Sequence, residues 1–281
     1  MAIVNALSVD VEDWFQVGAF ETTIDRADWD SLELRVEANT DRILALFAAA
    51  GVSATFFTLG WIAERCPQLI ARIAAAGHEV ASHGWEHGRV FRMTPAAFRA
   101  DLARARAAIE AASGQPVRGY RAPSFSIDAR TPWAHEVLTE EGYAYSSSVA
   151  PLHHDHYGWP EAPRHAFRPV AGAALIELPI TLASFLGRQV PTGGGFFRLL
   201  PSFVTDRAID LANAGGAPAV FFFHPWEVDP GQPRVHRAPL RSRLRHYARL
   251  GAMERKLARL VRRHRWGTAE SAVSVAAEAL A

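Results

Sequence analysis

Two histidines four positions apart, His83 and His87, are the residues of this sequence best suited to chemistry. On a helical turn, side chains with this spacing face the same way, so two imidazoles can bind one divalent metal ion. Adding one carboxylate would leave positions open for water, which is the arrangement of a catalytic rather than a structural site. Two surface histidines that meet by chance are the alternative. The pair predicts a metal centre if the fold brings a carboxylate to it.

An acidic cluster near the N-terminus, formed by Asp10, Glu12 and Asp13, is the candidate source of that carboxylate. It ends an apolar run that is typical of a strand, in which alternate residues share a face, so Asp10 and Glu12 should lie together. Asp13 joins them only if the chain turns there. Surface acids at a strand end are the alternative, but acids packed beside aromatic residues are costly without a cation. The cluster could supply both a metal ligand and a base.

Two more residues, Arg121 and His224, could complete such a site. Arg121 comes just before a proline turn and could fix an acidic base by a forked hydrogen bond. His224 follows three phenylalanines and could act as a proton donor where a strand ends. An ordinary surface arginine and a core histidine are the alternatives.

The elements that would position these residues are strands alternating with helices. We predict strands at 6–11, 52–59, 78–82, 117–121, 143–149, 175–181 and 219–224, with helices at 40–50, 61–76, 95–112, 131–141 and 201–213. This alternation indicates parallel βαβ units, and about seven of them fit one closed or nearly closed α/β barrel. In such barrels the working groups lie at the carboxyl ends of the strands. Asp10, His83, Arg121 and His224 each lie at or just past a predicted strand end.

Three other segments complete the predicted domain, which spans residues 1–281. Residues 150–174 and 184–198 are rich in proline and glycine and should form long loops over the mouth of the barrel. Within the second, three successive glycines at 193–195 predict a tight loop, because a phosphate-binding loop would need a lysine. Residues 234–265 carry eleven arginines and one lysine against one glutamate. We expect residues 234–281 to form a basic helical extension packed on the barrel, although contact with an anionic glycan or membrane surface is an alternative.

Composition narrows the class of protein. With 281 residues, 49% of them hydrophobic, the chain can bury a substantial core. Its net charge of +1 gives no global field for nucleic acid or a membrane, and its one cysteine, Cys66, excludes an internal disulfide. The sequence shows no basic-then-apolar leader and no apolar run near the roughly 18 residues of a membrane span. We therefore expect a cytoplasmic protein.

These residues resemble the motifs of the polysaccharide deacetylases of carbohydrate esterase family four, the NodB-homology group. Residues 8–13 look like the first motif of that family, 82–87 like its metal-binding second motif, 121–124 like the third and 223–224 like the last. The likeness runs in order across residues 6–226. Residues 9–15 and 224–230 also resemble the deacetylases found beside exosortase and exopolysaccharide loci, and that likeness extends through the basic C-terminal segment.

The resemblance implies a distorted (β/α)7 barrel of NodB type that removes acetyl groups from N-acetylhexosamine units with the help of a divalent metal. Zinc suits the ligand set, and cobalt or nickel would also fit. The implied partners are an N-acetylated glycan and the machinery of exopolysaccharide biosynthesis. The implied roles are Asp10 as general base, His83 and His87 as metal ligands with a carboxylate, Arg121 as the tether of Asp10, His224 as general acid, and the backbone N–H near Ser124 as an oxyanion donor.

The sequence departs from the family pattern in two places. Val11 is inserted after Asp10, so the third metal ligand could be Glu12 or Asp13, and strand alternation favours Glu12. Residues 145–148 offer no acid where many relatives place one to orient the catalytic histidine; the role is lost or filled from elsewhere, with Asp155 as one candidate. An amidohydrolase acting on a small non-sugar amide and a non-catalytic glycan-binding relative are the alternative functions.

Overall fold

A curled parallel sheet organises the residues that the computed structural model describes, which are 3–153 and 157–280. From β1 the sheet runs through β2, β3, β4 and β5 to β6, while β9 pairs with the other side of β1. The Thr181 N–H, just after β6, donates to the Val220 carbonyl oxygen at 3.2 Å and brings the two edges together. The predicted α/β barrel is confirmed. The strands in the described part of the chain are Asn5–Val11 (β1), Thr55–Thr58 (β2), Glu79–Ser82 (β3), Gly119–Tyr120 (β4), Tyr145–Ser146 (β5), Ile176–Glu177 (β6), Leu182–Phe185 (β7), Arg188–Pro191 (β8), Val220–Phe223 (β9) and Trp266–Gly267 (β10).

Helices cover the sheet and begin and end where the sequence signals them. Thr94 caps the first turn of α4 by accepting the Ala97 N–H, and Gly51 and Gly114 end α1 and α4 in the left-handed conformation. The single helix predicted at 61–76 is instead two helices, because Pro67 starts a new one after a break at Cys66. The helices are Val36–Ala50 (α1), Gly60–Arg65 (α2), Pro67–Ala75 (α3), Pro95–Ser113 (α4), Trp133–Glu140 (α5), Gly194–Leu199 (α6), Ser202–Ala214 (α7), Leu240–Tyr247 (α8), Leu250–Arg263 (α9) and Ala269–Ala279 (α10).

Strand β1 is buried along its whole length and divides the core by alternation. Leu7, Val9 and Val11 pack in the larger apolar cluster, together with residues of the surrounding helices. Ala6 belongs to a second cluster, with Phe57 and side chains from several other strands, that fills the barrel interior. Period-two geometry places the side chains of Ser8 and Asp10 on this interior side.

The segments predicted as loops and as a helical extension contain more structure than expected. Within 184–198 lie most of the antiparallel β7–β8 hairpin and the start of α6, so the long loop predicted there is wrong. The glycines at 193–195 form the start of α6 rather than a tight loop. A Cβ on Gly193 would lie 2.1 Å from the Phe222 carbonyl oxygen, so this close approach to β9 requires glycine.

The C-terminal segment contains the expected helix pair, α8 and α9, and then joins the sheet. Strand β10 pairs with Asn5–Ala6 at the start of β1, below the point where β2 begins its pairing. Helix α10 follows and buries Ala269, Ala272 and Val273 in the interior cluster, at the end of the barrel opposite the carboxyl ends of the strands. Among the helices described, none has the length and apolar character needed to span a bilayer.

Candidate active site

A cavity of about 330 Å³ opens at the carboxyl ends of the strands. It gathers residues that the sequence places far apart, because β1, β3 and β9 all end at this edge of the barrel. Of the predicted site residues, its wall contains Asp10, Glu12, His83, His87, Ser124 and His224. Arg121 is fully buried, against Asp10.

Glu12, His83 and His87 form a cluster with the geometry of a metal site. One ligand atom from each lies within 4.8 Å of the other two. Glu12 Oε2 is buried and lies 2.8 Å from His87 Nε2 without meeting the geometry of a hydrogen bond. A buried carboxylate oxygen without a hydrogen bond is costly, and a cation between these atoms would remove that cost. The residues therefore fit a divalent metal ion.

Protonation states in the cluster also suit a cation. His83 Nδ1 lies 2.8 Å from the Arg121 carbonyl oxygen, so Nδ1 carries the proton and Nε2 presents its lone pair. Burial lowers the pKa of His83 to about 4, which keeps the ring neutral. Burial alone would raise the pKa of Glu12, but His87 and His224 lower it to about 2. The cluster thus offers neutral imidazole and ionised carboxylate.

The loop that carries the two histidines is not the helical turn that their spacing predicted. Gly84 (φ 76°) and His87 (φ 60°) are both left-handed, and these reversals bring the rings together with centroids 5.5 Å apart. The Gly60 N–H, at the start of α2, donates to the Gly84 carbonyl oxygen at 2.9 Å. The Asp101 carboxylate on α4 accepts the Trp85 N–H at 3.1 Å. Two helices therefore fix the loop, and sequence analysis missed Asp101.

Asp13 lies apart from the histidines. Its Oδ2 accepts the backbone N–H groups of Arg35 at 2.7 Å and Val36 at 2.9 Å, where α1 begins. Its Oδ1 accepts the Trp14 N–H at 2.8 Å. Because the chain turns after β1, both oxygens of Asp13 satisfy backbone donors that would otherwise be buried without partners. The structure thus does not bring Asp13 to the histidines, and Glu12 is the carboxylate that lies with them.

Asp10 is held by Arg121. The Arg121 Nη1 donates to Asp10 Oδ1 and to Ser8 Oγ, both at 2.7 Å. Its Nε donates to the Ser147 carbonyl oxygen at 3.0 Å and its Nη2 to Ser147 Oγ at 2.9 Å, while Phe57 lies beneath the guanidinium. The segment that lacks the expected acid therefore orients the arginine instead.

His224 faces the acids with one ring nitrogen and a further glutamate with the other. Its Nε2 lies 3.9 Å from Asp10 Oδ2 and 3.7 Å from Glu12 Oε1. Its Nδ1 lies 3.0 Å from Glu227 Oε2, and Glu227 Oε1 accepts the Arg198 Nε–H at 2.7 Å. Glu227 is fully buried. Glu227 is therefore the acidic residue that contacts His224, a contact for which the sequence analysis considered residues 145–148 and Asp155 instead.

Glu227 could have been found from the sequence, since it follows His224 by three residues in a Pro-containing turn, Pro225–Val228. Arg198 could not, because it comes from α6, far away in the sequence. The other candidate for this role, Asp155, lies outside the described residues.

The surroundings of His224 favour its protonated form. Burial would lower its pKa, but Glu12, Glu227 and Asp10 raise it to about 9. The ring stacks on Trp226 with centroids 5.2 Å apart, and Trp226 also stacks on His246 of α8 at 4.1 Å. The ring is therefore fixed by packing as well as by hydrogen bonds.

Ser124 lines the same cavity in a strained backbone conformation, with φ 55° and ψ 29°. Left-handed backbone at a residue other than glycine is uncommon and concentrates at functional sites. Its predicted part in holding an oxyanion stays a prediction.

Two family models together match most of the chain. Residues 21–145 match the polysaccharide deacetylase model, and residues 147–274 match a domain of unknown function (DUF3473). The first segment contains His83, His87 and Arg121, and the second contains Arg198, His224 and Glu227. Asp10 and Glu12 precede both.

Similar proteins agree with the first match. A chitooligosaccharide deacetylase from Bradyrhizobium sp. (strain ANU 289) is 34% identical over 131 residues, covering 46% of this chain and 53% of that protein. The chain thus spans about half the length of this relative. Among solved structures, one from Mycobacterium smegmatis, assigned as a polysaccharide deacetylase, has a TM-score of 0.60 at 22% identity and covers 99% of this chain and 93% of its own. The Puue allantoinase also gives 0.60, at 17% identity, over 96% and 88% of the two chains.

At these identities the two structures establish the fold alone, and this barrel is common to proteins of different names. The sequence match is more specific, because it covers the loop with both histidines and the segment with Arg121. Residues 21–145 are therefore similar to the polysaccharide deacetylase domain.

Proposed function

We propose that the protein is a metal-dependent hydrolase that removes the acetyl group from N-acetylhexosamine units of an oligo- or polysaccharide. The observation that carries this proposal is the convergence, in one cavity, of three sets of residues. They are the Glu12, His83 and His87 cluster, the Arg121-bound Asp10, and the Glu227-bound His224. The name of the Bradyrhizobium relative supports a glycan substrate.

Glu12, His83 and His87 would hold the metal. Zinc suits two imidazoles and one carboxylate, and cobalt or nickel would also fit. When bound, such an ion polarises a carbonyl oxygen and lowers the pKa of water. The remaining chemistry belongs to residues around the cluster.

Asp10 is placed to act as the general base. Arg121 occupies its Oδ1, which leaves Oδ2, on the side of His224, to take a proton from the attacking water. Loss of that proton lets the oxygen attack the acetamide carbon. The buried guanidinium keeps the carboxylate in one orientation.

His224 is placed to act as the general acid. The Nδ1–H of His224 donates a hydrogen bond to Glu227. The second proton of the imidazolium is therefore on Nε2, which faces Asp10 and Glu12. From there it can be donated to the departing amine as the C–N bond breaks. The backbone N–H near Ser124 would stabilise the oxyanion.

Acetate release from chitooligosaccharides tests the proposal. Release should stop with a chelator and return when zinc is added. Asp10→Asn should abolish release while metal content, measured by elemental analysis, stays that of the wild type. Release that is insensitive to chelation, or full activity of metal-loaded Asp10→Asn, would refute the proposal.

A metal-dependent amidohydrolase acting on a small non-sugar amide is the second candidate. The cavity volume of about 330 Å³ favours it, because this is near the lower end of the roughly 300–1,000 Å³ range of small-molecule sites. Turnover of a cyclic amide, without acetate release from any acylated sugar, would decide for this candidate.

The cellular setting is a further part of the proposal. The likeness of residues 9–15 and 224–230 to deacetylases of exopolysaccharide loci supports a cytoplasmic role beside exopolysaccharide biosynthesis machinery. Acetylation of the exopolysaccharide should rise in a strain that carries Asp10→Asn.

A further inference from the structure

Helix α8 exposes two leucines one turn apart. Leu240 is 66% exposed and Leu244 is 63% exposed, and their i, i+4 spacing puts them on one face of the helix. Leu199 of α6, which lines the cavity, is also exposed. A single exposed leucine is ordinary, but a pair of exposed leucines beside a cavity mouth indicates a surface that binds another molecule.

The same segment is strongly basic. Residues 234–249 contain six arginines and no acid, and the nearest acids in the sequence are Asp229 and Glu254. Asp229 is ion-paired to Arg35. Arg234 and Arg237, two exposed arginines of this segment, form no ion pair with the described residues, so the partner that fits them has negative charge as well as an apolar layer.

Helix α8 is firmly attached to the active site by its other face. Its residues Ser242, Arg245 and His246 line the cavity. Arg198, which holds Glu227, also donates to the carbonyl oxygens of Arg245 at 3.1 Å and His246 at 3.0 Å. A surface bound by the exposed leucines would therefore lie next to the cavity mouth.

We propose that α8 and the residues before it dock the protein on an anionic phospholipid surface, with Leu240 and Leu244 inserted between the head groups and Arg234 and Arg237 on the phosphates. Amphipathic helices with leucines on one side and arginines around them bind membranes in this way. An anionic glycan would engage the arginines but has no use for the leucines, which is why we favour the membrane. Resting on the proposed function, the cavity would then receive a glycan attached to a membrane lipid.

Vesicle co-sedimentation of the full chain tests the docking surface. The wild type should sediment with vesicles of phosphatidylcholine and phosphatidylglycerol but not with phosphatidylcholine alone, and added salt should weaken binding. Leu240→Ser/Leu244→Ser and Arg234→Glu/Arg237→Glu should each weaken binding about tenfold or more. The matched control is Val275→Ser, which changes a 49% exposed residue of α10 at the opposite end of the barrel.

Three results would overturn the docking surface: no sedimentation of the wild type, unchanged binding of the leucine variant, or weakening by Val275→Ser as large as by the leucine variant. Unchanged binding of the leucine variant would assign the arginines to an anionic polymer instead. Acetate release from a soluble chitooligosaccharide, measured on the same proteins, keeps the two proposals separate. Wild type that releases acetate without binding vesicles refutes the docking alone, and vesicle binding without acetate release refutes the proposed function alone.

Discussion

Glu227→Gln is the sharpest test of how the acid side of the site works. The substitution keeps the size of the side chain and one carbonyl oxygen, but removes the negative charge that lies 3.0 Å from His224 Nδ1. The amide can also offer an N–H where the imidazole needs an acceptor. Both changes act on the tautomer and on the charge of His224.

The expected size of the loss in kcat depends on the charged neighbours of His224. Three carboxylates, of Glu12, Glu227 and Asp10, raise its pKa to about 9 against the effect of burial. A cation bound to Glu12 would cancel much of the first contribution, which leaves Glu227 as the main support of the imidazolium. Loss of one adjacent charge lowers a pKa by about 1–3 units, or roughly 1.4–4 kcal/mol. Since a general acid contributes about 10²–10⁴-fold, we expect kcat to fall by about 10²-fold or more.

The dependence of kcat on pH shows the direction in which the pKa of His224 changes. A general acid is active only while protonated, so a raised pKa keeps His224 active up to higher pH, and activity is lost as pH rises through that value. Glu227→Gln should therefore move the basic limb of the kcat profile for acetate release to lower pH. Metal content should stay unchanged, because Glu227 does not belong to the Glu12, His83 and His87 cluster.

Two further variants separate this effect from a loss of stability. Glu177→Gln is the matched control, since Glu177 is also fully buried and lies 3.0 Å from a histidine, His135, outside the cavity. It should lower the melting temperature without moving the pH profile. Arg198→Met/Glu227→Gln removes the uncompensated arginine but also the donor to the carbonyl oxygens of Arg245 and His246, so neither stability nor activity should recover. A Glu227→Gln protein with wild-type kcat and an unchanged basic limb would refute the reasoning.

Three other substitutions probe the supports of the site. Arg121→Met leaves Asp10 buried without its ion pair, so we expect a loss of about 3–5 kcal/mol in the free energy of unfolding, measured by urea denaturation; a change below about 1 kcal/mol would contradict this. Asp101→Ala removes the acceptor of the Trp85 N–H and should weaken zinc affinity about 10–100-fold in a chelator competition, whereas Asp101→Asn, which keeps an acceptor, should bind nearly as well; equal affinities of the two variants would contradict a role for the loop. Gly193→Ala places a Cβ 2.1 Å from a backbone oxygen of β9, so it should cost about 1–3 kcal/mol by thermal unfolding, and a melting curve like that of the wild type would show that the approach is not tight.

Rules of strand geometry were sufficient to predict the part of the site that strands position. Period-two alternation predicted Asp10 and Glu12 on one face, although β1 ends at Val11 and the Glu12 N–H donates back to the Asp10 carbonyl oxygen. The expectation that barrels work at the carboxyl ends of strands linked both residues to His83 and His224. The structure brings all four to one cavity. These rules need only the residues of each strand, so one sequence was enough to apply them.

The same rules failed where a distant backbone decides. Asp13 looks like a ligand because it follows Glu12, but the start of α1 offers two N–H groups that claim one of its oxygens. His83 and His87 meet through left-handed residues rather than a helical turn, because α2 and α4 fix the loop between them. Such contacts join residues many positions apart, and the periodicity of the sequence does not predict them.

In the proposed mechanism, both matched segments contribute residues to one site. The segment that matches the polysaccharide deacetylase model supplies the imidazoles and the arginine that holds Asp10, but the proposed acid, His224, and its partner Glu227 come from the second segment. That segment also supplies β9 and β10, which both pair with β1, the strand that leads into Asp10 and Glu12. We therefore expect that the proposed base, Asp10, is positioned only when both segments are folded. Arg198 also comes from the second segment, and its guanidinium donates hydrogen bonds both to Glu227 and to the last turn of α8. Arg198 therefore connects the proposed general acid, through Glu227, with the proposed membrane-binding helix.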